Sequence, residues 1–419
     1  MTGIRRRVFA AARIPLFAAF FSAFSTCSLA SAQTTLPAHL AHELAIAGRG
    51  SGGYVYDITS KQVLFSERAA TLRPPASVEK LYTATTALER MGPEARLETT
   101  VLGTGHLSGN GTWEGNLYLR GGGDPTFGSS SFIQSHYSGV GTSVSSLASQ
   151  LAAYGIRRVS GRIEGDESYF DSLRGEPSSD YHQDPYLEGT LSALAFNRGQ
   201  SGQIGGAHGP AAYAAHELWA ALKALHINAP AGSSAASAPA GASVLAKASS
   251  PTITELLGLT LPPSDNFFAE TLLKDLGARF GGAGTTAAGA QVVKQTIASD
   301  FDLHPHVVDG SGLSTADETS PYEVTDLLTE LEPTPIGAVL RSDLAVAGKT
   351  GTLSERMRGT AAAGRCEGKT GTLTGASNLA GYCQSVGGDL LAFAFFDDDI
   401  STTAAHTLQD NMTISLADY

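Results

Sequence analysis

Two residues near the start of the chain, Ser77 and Lys80, have the types and spacing of a serine nucleophile with its base. They form the only Ser-x-x-Lys string in the sequence. A helix would place the hydroxyl and the amine on one face, one turn apart. An unactivated serine is a poor nucleophile, so a neutral Lys80 would have to take its proton. We expect burial and a second cation, Lys369, to lower the pKa of Lys80 from its usual value near 10.4.

Two further groups supply the remaining polar side chains that acyl transfer needs. Ser264-Asp265-Asn266 stands just before a predicted helix, and Lys369-Thr370-Gly371 stands in a predicted strand. A competing Ser-x-Asn string, Ser108-Gly109-Asn110, lies in a glycine-rich hairpin turn, and that turn explains it fully. We therefore take the group at residues 264–266 as the second motif.

The string Lys-Thr-Gly-Thr-Leu occurs twice, at residues 349–353 and 369–373. Neither copy is a phosphate-binding loop, because Asp343 and Ala363 stand where that loop requires its first glycine. A charged, non-alternating segment follows the first copy, which predicts a turn or short helix. An alternating segment follows the second, which predicts a strand edge facing a cleft.

The elements that must position these groups come from both ends of the chain. Alternation around a Thr59-Ser60 turn predicts two antiparallel strands, and a helix is predicted from Pro74-Pro75 to Gly92. Three strand-like runs and a closing helix end the chain, after helices in the region from residue 251. This order predicts one antiparallel sheet built from both halves of the chain.

The stretch between residues 93 and 250 differs in sequence pattern from the segments on either side and is predicted to be an insertion. It is rich in hairpin signals, and its small-residue segment at 232–250 is predicted to be a mobile surface loop.

The first 32 residues read as an export signal: four arginines, an apolar core from Ile14 to Phe24, and a small-residue cleavage site ending at Ala32. Without those arginines, 24 basic and 40 acidic residues remain, a net charge of −16 that argues against nucleic acid as a partner. The predicted location is periplasmic or in the cell-wall compartment, with at most peripheral membrane association. There Cys366 and Cys383 can form a disulfide or remain two small buried thiols.

Ser-x-x-Lys, Ser-Asp-Asn and Lys-Thr-Gly, in this order, are the signature of penicillin-binding proteins and related β-lactamases. With the segments at 117–125, 161–171 and 308–314, the chain resembles the class C, S13-type D-alanyl-D-alanine carboxypeptidases and endopeptidases. The resemblance implies an α+β fold, a split transpeptidase/β-lactamase-like domain with helices around a five-stranded antiparallel sheet. Residues 33–92 and 251–419 would form this domain, and 93–250 one or two mainly-β accessory domains.

The resemblance also implies a role for each site residue and no metal or organic cofactor. Ser264 would relay a proton to the leaving amine, Asn266 would hold Lys80 and the substrate amide, and backbone N–H groups of Ser77 and Thr372 would form the oxyanion hole. The implied catalytic residues are Ser77, Lys80, Ser264, Asn266 and Lys369, and the implied substrate-binding residues are Thr370, Gly371 and Thr372, with Asp166 and Phe170 as candidates for a diaminopimelate side chain. Thr315 stands where some relatives place an arginine for that side chain.

The expected substrates are peptidoglycan peptides ending in D-Ala-D-Ala, with β-lactams as inhibitors, and the balance of carboxypeptidase and endopeptidase activity stays open. One alternative is a β-lactamase-like hydrolase, although no Glu-x-x-Leu-Asn loop is evident. Another is a non-catalytic cell-wall binding or sensor protein on the same fold.

Overall fold

The computed structural model describes residues 35–199 and 209–419. The predicted export signal lies outside these ranges. Within them, no helix is both long enough and apolar enough to cross a membrane.

The strands of the described part, in chain order, are β1 (Gly52–Asp57), β2 (Gln62–Glu67), β3 (Arg96–Gly103), β4 (His106–Leu107), β5 (Thr112–Glu114), β6 (Leu117–Arg120), β7 (Arg158–Val159), β8 (Ile163–Asp166), β9 (Ser233–Ala235), β10 (Ser243–Thr252), β11 (Ala345–Val346), β12 (Cys366–Leu373), β13 (Ala376–Gln384) and β14 (Leu390–Asp398).

The helices are α1 (Leu36–Ala47), α2 (Lys80–Met91), α3 (Ser130–Tyr137), α4 (Val144–Tyr154), α5 (Pro210–Ala224), α6 (Ile253–Thr260), α7 (Asn266–Phe280), α8 (Thr286–Phe301), α9 (Pro321–Leu331), α10 (Pro335–Ser342) and α11 (Thr402–Ala417).

The main sheet has the strand order β11-β12-β13-β14-β1-β2, and its neighbouring strands are antiparallel. Because β1 pairs with β14, the two ends of the chain build one sheet, which confirms the prediction from the strand pattern. Five strands are long, as the resemblance implied. The sixth, β11, adds only two residues at the edge beside β12.

Successive residues of β14 point into two different cores, because side chains alternate across a strand. Phe393 and Phe395 pack in the cluster that contains residues of α1 and α11. Ala394 and Phe396 pack in the cluster that contains residues of α2, α7 and α9. Because both faces are covered, β13 and β14 are buried almost throughout. They hold the neighbouring strand β12 in place.

The inserted region enters through β3 and leaves through β10, which pair with each other. Its larger sheet has the order β10-β3-β6-β8-β9, and a three-stranded sheet comprises β4, β5 and β7. The region also contains α3, α4 and α5, so it is more helical than the expected mainly-β insertion. The domain borders at residues 93 and 250 remain a prediction.

The small-residue segment predicted to be a loop instead contains β9 and most of the ten-residue strand β10. Ala246 and Ala248 of β10 are buried in the core of the inserted region. Their small side chains satisfy the alternating pattern of a strand although the segment has few large apolar residues to signal it.

Cys366 and Cys383 face each other in the pairing of β12 with β13 and form a disulfide. Both are buried. The structure therefore settles the alternative left open by the sequence in favour of the disulfide, and the link lies three residues before Lys369.

Candidate active site

Ser77 lies in a 3-10 turn, Ala76–Glu79, that runs directly into α2. Lys80 is the first residue of α2, and its Nζ is 3.0 Å from Ser77 Oγ. The spacing on one helical face that the sequence predicted is therefore present. Asn378 of β13 donates its amide to the carbonyl of Pro74 at 2.9 Å, which ties the segment before Ser77 to the main sheet.

The Lys80 amine lies in a closed polar network and is 1% exposed. Besides Ser77 Oγ, its acceptors are Asn266 Oδ1 at 2.6 Å and the carbonyl of Ser311 at 2.7 Å. These contacts come from three separate parts of the chain, so they fix the amine beside the hydroxyl that it would deprotonate.

Burial lowers the pKa of Lys80 to about 8, while the carboxyl groups of Asp309 and Glu270 act in the opposite direction. The loss of hydration disfavours the charged ammonium. Burial, one of the two causes expected from the sequence, is thus the dominant one. A pKa near 8 leaves an appreciable neutral fraction of Lys80 at neutral pH, as a general base requires.

The second motif stands at the start of α7, where Asp265 is the N-terminal cap. Ser264 adopts a left-handed conformation, with φ of +66°. Asn266 Oδ1 accepts from Lys80 Nζ, and Asn266 Nδ2 donates to the carbonyl of Tyr186 in the inserted region at 2.8 Å. The amide expected to hold Lys80 does so, and its other end is engaged with the inserted region.

Arg198, also in the inserted region, holds the middle residue of this motif. Its guanidinium donates to both oxygens of Asp265, at 2.6 and 3.0 Å, and to the carbonyl of Glu188 at 2.7 Å. It also lies over the ring of Phe267, 4.9 Å from the centroid. No spacing rule in the sequence pointed to Arg198, because it lies 67 residues from its partner.

Lys369 of β12, the first residue of the third motif, contacts the second motif. Its Nζ donates to Ser264 Oγ and to the carbonyl of Thr370, both at 2.8 Å. The side chain is fully buried. Burial holds its pKa well below the usual lysine value, and the positive charge of Lys80 acts in the same direction. The sequence analysis expected the reverse influence, a lowering of the Lys80 pKa by Lys369, and Lys369 is not among the causes of the Lys80 shift.

The residues after Lys369 differ in what they contact. Thr370 is buried and donates its hydroxyl to Thr352 Oγ1 at 2.8 Å. A Cβ on Gly371 would lie 2.5 Å from the carbonyl oxygen of Pro75 and 3.1 Å from the nitrogen of Ser77. Only glycine lets β12 approach the nucleophile this closely. Thr372 reaches the open cavity in front of Ser77.

This cavity has a volume of about 540 Å³. It is lined by residues of the region around the main sheet and by residues of the inserted region. Its lining includes Ser77 and Asn266 with Thr372 of β12, and a wall from the inserted region. The lining residues are Ser77, Glu176, Ser178, Asp184, Tyr186, Asn266, Gly312, Leu313, Thr372, Leu373, Thr374 and Thr402.

The residues proposed from the sequence to bind a diaminopimelate side chain do not line this cavity. Asp166 is 1% exposed, lies 3.6 Å from the guanidinium of Arg120, and accepts the N–H groups of Ser168 and Ala238. Phe170 lines a different cavity of about 290 Å³. Asp166 is therefore engaged at the end of β8, and the assignment of Asp166 and Phe170 to a diaminopimelate side chain stays a prediction.

A family model described as the D-Ala-D-Ala carboxypeptidase 3 (S13) family matches residues 32–201 and 187–419. Together these matches cover almost the whole chain. The protein belongs to the S13 family. It is therefore a peptidase, a hydrolase of the D-Ala-D-Ala carboxypeptidase and penicillin-binding protein group.

Individual relatives agree with this membership. A D-alanyl-D-alanine carboxypeptidase of Actinomadura sp. (strain R39) is 29% identical and aligns over 90% of this chain and 82% of its own. The crystal structure of penicillin binding protein 4 from Haemophilus influenzae has a TM-score of 0.76 at 21% identity, covering 91% of this chain and 99% of the other. A penicillin G-acylated predatory endopeptidase, Bd3459 of Bdellovibrio bacteriovorus, has a TM-score of 0.52 at 18% identity, covering 86% and 90%.

In this S13 peptidase, the loop at 308–314 contributes a contact that the sequence analysis did not assign. The Ser311 carbonyl accepts Lys80, and its N–H donates to Glu270 Oε1 at 2.8 Å. Asp309 accepts the N–H groups of Ser311, Gly312 and Ser314, which closes the loop on itself. In the sequence, only the family resemblance pointed to this segment. Its Asp-Gly-Ser-Gly string is typical of a tight polar turn.

Across residues 35–199 and 209–419, no group of three or more His, Cys, Asp or Glu side chains has an arrangement that could hold a metal ion. The polar network is made of two lysines, two serines and an asparagine, so the chemistry that these side chains support is proton transfer and acyl transfer.

Proposed function

We propose that this protein is a serine DD-peptidase that cleaves peptidoglycan peptides ending in D-Ala-D-Ala through an acyl-enzyme on Ser77, and that penicillin acylates the same serine. The observation that carries the proposal is the 3.0 Å separation of Lys80 Nζ and Ser77 Oγ at the edge of a cavity. The name of the Actinomadura relative and the penicillin adduct of the Bdellovibrio neighbour support the same chemistry.

Acylation begins when neutral Lys80 accepts the Ser77 proton and Ser77 Oγ attacks the carbonyl carbon of the penultimate D-Ala. The oxyanion that forms would be stabilised by the backbone N–H groups of Ser77 and Thr372, two residues that line the cavity. Pre-positioned donors of this kind act strongly because they need no rearrangement during the reaction.

The leaving amine of the terminal D-Ala needs a proton, and Ser264 is proposed to relay to it the proton that Lys80 took from Ser77. Lys369 donates to Ser264 Oγ and so orients this hydroxyl for the relay. The terminal carboxylate is proposed to bind Lys369 and the hydroxyls of Thr370 and Thr372, and its negative charge would favour the protonated form of Lys369 that burial otherwise disfavours. Lys80, neutral again after this relay, takes a proton from the water that attacks the Ser77 ester and returns it to Ser77 Oγ, which releases the shortened peptide.

The cavity wall from the inserted region, which includes Glu176, Asp184 and Tyr186, is proposed to contact the part of the peptide before the scissile bond. An additional endopeptidase activity, like the one for which the Bdellovibrio neighbour is named, would require a second peptide on the leaving side. Separation of the products of purified muropeptides distinguishes the two activities, since only an endopeptidase releases monomers from a cross-linked dimer.

We further propose that the protein acts outside the cytoplasm, in the periplasm or cell-wall compartment, after cleavage near Ala32. The arginine-rich start and apolar run of residues 1–32 support export. The buried Cys366–Cys383 disulfide also favours an oxidising compartment. Amino-terminal sequencing of the mature protein should begin at Gln33.

The decisive experiment is intact-mass measurement after incubation with benzylpenicillin, followed by peptide mapping. We expect one adduct, on Ser77, that is absent from Ser77→Ala and slow to hydrolyse. No adduct, or an adduct on another residue, would contradict the proposal. An adduct that turns over in under a second would instead favour the β-lactamase-like alternative.

A further inference from the structure

The first Lys-Thr-Gly-Thr-Leu copy folds differently from the second although the two strings are identical. Residues Gly351–Leu353 form a 3-10 turn, whereas the second copy is part of β12. Leu353 is buried, and Lys349 and Thr352 have exposed side chains. The first copy therefore presents a different set of groups to its surroundings.

The turn is attached to the edge of β12 by backbone hydrogen bonds. The two-residue strand β11, which precedes it, pairs with Glu367 and Gly368, directly before Lys369. Within the turn, the N–H groups of Lys349 and Thr350 donate to the carbonyl of Val346 at 3.0 and 3.1 Å. Its position relative to the third motif is thus fixed before any side chain is considered.

Thr352 of this turn contacts two segments, the one that carries Ser264 and the one that carries Lys369. Its N–H donates to the carbonyl of Pro262 at 3.0 Å, two residues before Ser264. Its hydroxyl accepts the hydroxyl of Thr370 at 2.8 Å, one residue after Lys369. Between these two contacts, Lys369 Nζ and Ser264 Oγ meet at 2.8 Å.

Gly351 explains how the turn comes so close to the Ser264 loop. It has a left-handed φ of +55°, and a Cβ there would lie 2.3 Å from the Pro262 carbonyl oxygen. A residue with a side chain would push the turn and the loop apart. Gly351 and Thr352 of the first copy therefore act at the same place, where the turn meets the Ser264 loop and β12.

We infer that the first copy is a positioning element of the active site, in which Thr352 holds the Ser264 loop and the Thr370 hydroxyl in register. The inference rests on the proposed acylation of Ser77. Thr352 acts through Thr370 and Ser264 and takes no part in proton transfer. Its oxygen orients the Thr370 hydroxyl, which is proposed to meet the substrate carboxylate.

The test is a double-mutant cycle on the second-order rate constant of benzylpenicillin acylation, using Thr352→Val and Thr370→Val in the full chain. Thr352→Val should lower the rate roughly three- to tenfold, the usual effect of one lost hydrogen bond. In the Thr370→Val background it should cause a much smaller further loss, because the partner hydroxyl is already gone. Thr352→Ser keeps the hydroxyl and should restore most of the rate.

Two variants of the same turn serve as controls. Thr350→Val removes a hydroxyl that accepts the Val346 N–H within the turn, and Lys349→Ala removes an exposed amine. Both should leave the acylation rate within about twofold. The thermal unfolding midpoint of Thr352→Val should fall by at most about 3 °C, because the variant loses only the hydrogen bond from the Thr370 hydroxyl.

If the wild-type protein is acylated on Ser77 but the losses of the two single variants are fully additive, the inference is overturned and the proposed function still stands. An equal loss in Thr350→Val would also overturn it, by assigning the effect to folding of the turn. Absence of any Ser77 adduct in the wild type would overturn both, so the two failures are distinguishable.

Discussion

Arg198 forms a two-point ion pair with Asp265, the residue between Ser264 and Asn266. Ser264 contacts Lys369, and Asn266 contacts Lys80. The inserted region therefore does more than form one wall of the cavity, because its arginine holds the short segment on which both lysines converge.

We expect Arg198→Met to destabilise the protein by roughly 3–5 kcal/mol, since it leaves a largely buried Asp265 carboxylate without its partner. The acylation rate of Ser77 should fall as well. Denaturant unfolding followed by circular dichroism measures the first effect. Arg358→Met is the control: Arg358 pairs with Glu355 on the surface, and its loss should cost at most about 1 kcal/mol. Equal stability of the two variants would contradict a supporting role for Arg198.

The two lysines of the repeated string should differ sharply in effect. Lys369 is buried against Ser264, whereas Lys349 is exposed on the turn. Lys369→Ala should slow benzylpenicillin acylation at least about a hundredfold, as expected when a group in the proton-transfer network is removed. Lys349→Ala should stay near the wild-type rate. The reverse order, measured by time-resolved intact mass, would overturn the assignment of the third motif.

Gly371 should not tolerate even alanine. The added Cβ would lie 2.5 Å from the Pro75 carbonyl oxygen, so either β12 or the segment before Ser77 must move. A displacement of a few tenths of an ångström in a reacting group is expected to slow acylation about tenfold or more. Gly109→Ala is a matched control, because a Cβ at Gly109 meets no atom within 4 Å. A normal acylation rate in Gly371→Ala would argue against this close approach.

The Cys366–Cys383 disulfide closes a loop with a sequence separation of 17 residues. Removing such a constraint on the unfolded chain is expected to cost about 3 kcal/mol. A Cys366→Ala/Cys383→Ala double variant should therefore unfold at lower denaturant concentration, while Ser77 acylation under native conditions continues. Reductant should shift the wild type toward the variant and leave the variant unchanged.

The sequence predicted the parts of the fold whose apolar residues follow a clear period. The strands around Thr59-Ser60, the helix ending at Gly92 and the three C-terminal strands all appear where they were expected. Strand β10 was missed, because its inward residues Ala246 and Ala248 are too small to give a strong alternating signal.

The candidate site residues were found because short motifs carry their own local geometry. The one-turn spacing of Ser77 and Lys80 is a property of the helix, and it needed no knowledge of the rest of the fold. Arg198, Glu270 and Thr352 could not be found in this way. Their importance depends on which loops meet in space, across separations that no single-sequence period encodes.

Glu270 offers a test of the electrostatics beneath Lys80. Its Oε1 accepts the N–H groups of Gly310 and Ser311, and burial raises its pKa to about 8. Glutamine can accept the same two bonds but cannot ionise. Glu270 raises the pKa of Lys80 only where it is ionised, from about pH 8 upward, so Glu270→Gln should move the acidic limb of the acylation pH profile only slightly to lower pH.

The stability of the same variant should depend on pH in a defined direction. In the unfolded chain Glu270 loses its proton near pH 4.3, whereas the folded protein holds it to about pH 8. Between these values the unfolded state binds fewer protons, so this group makes the wild type less stable as the pH rises. Relative to the wild type, Glu270→Gln should thus gain stability from about pH 4.3 to about pH 8 and show no further gain above. Unfolding free energies measured at pH 5 and pH 8 check this, with exposed Glu355→Gln as the control. A constant difference between Glu270→Gln and the wild type would show that Glu270 is ionised in the folded protein throughout.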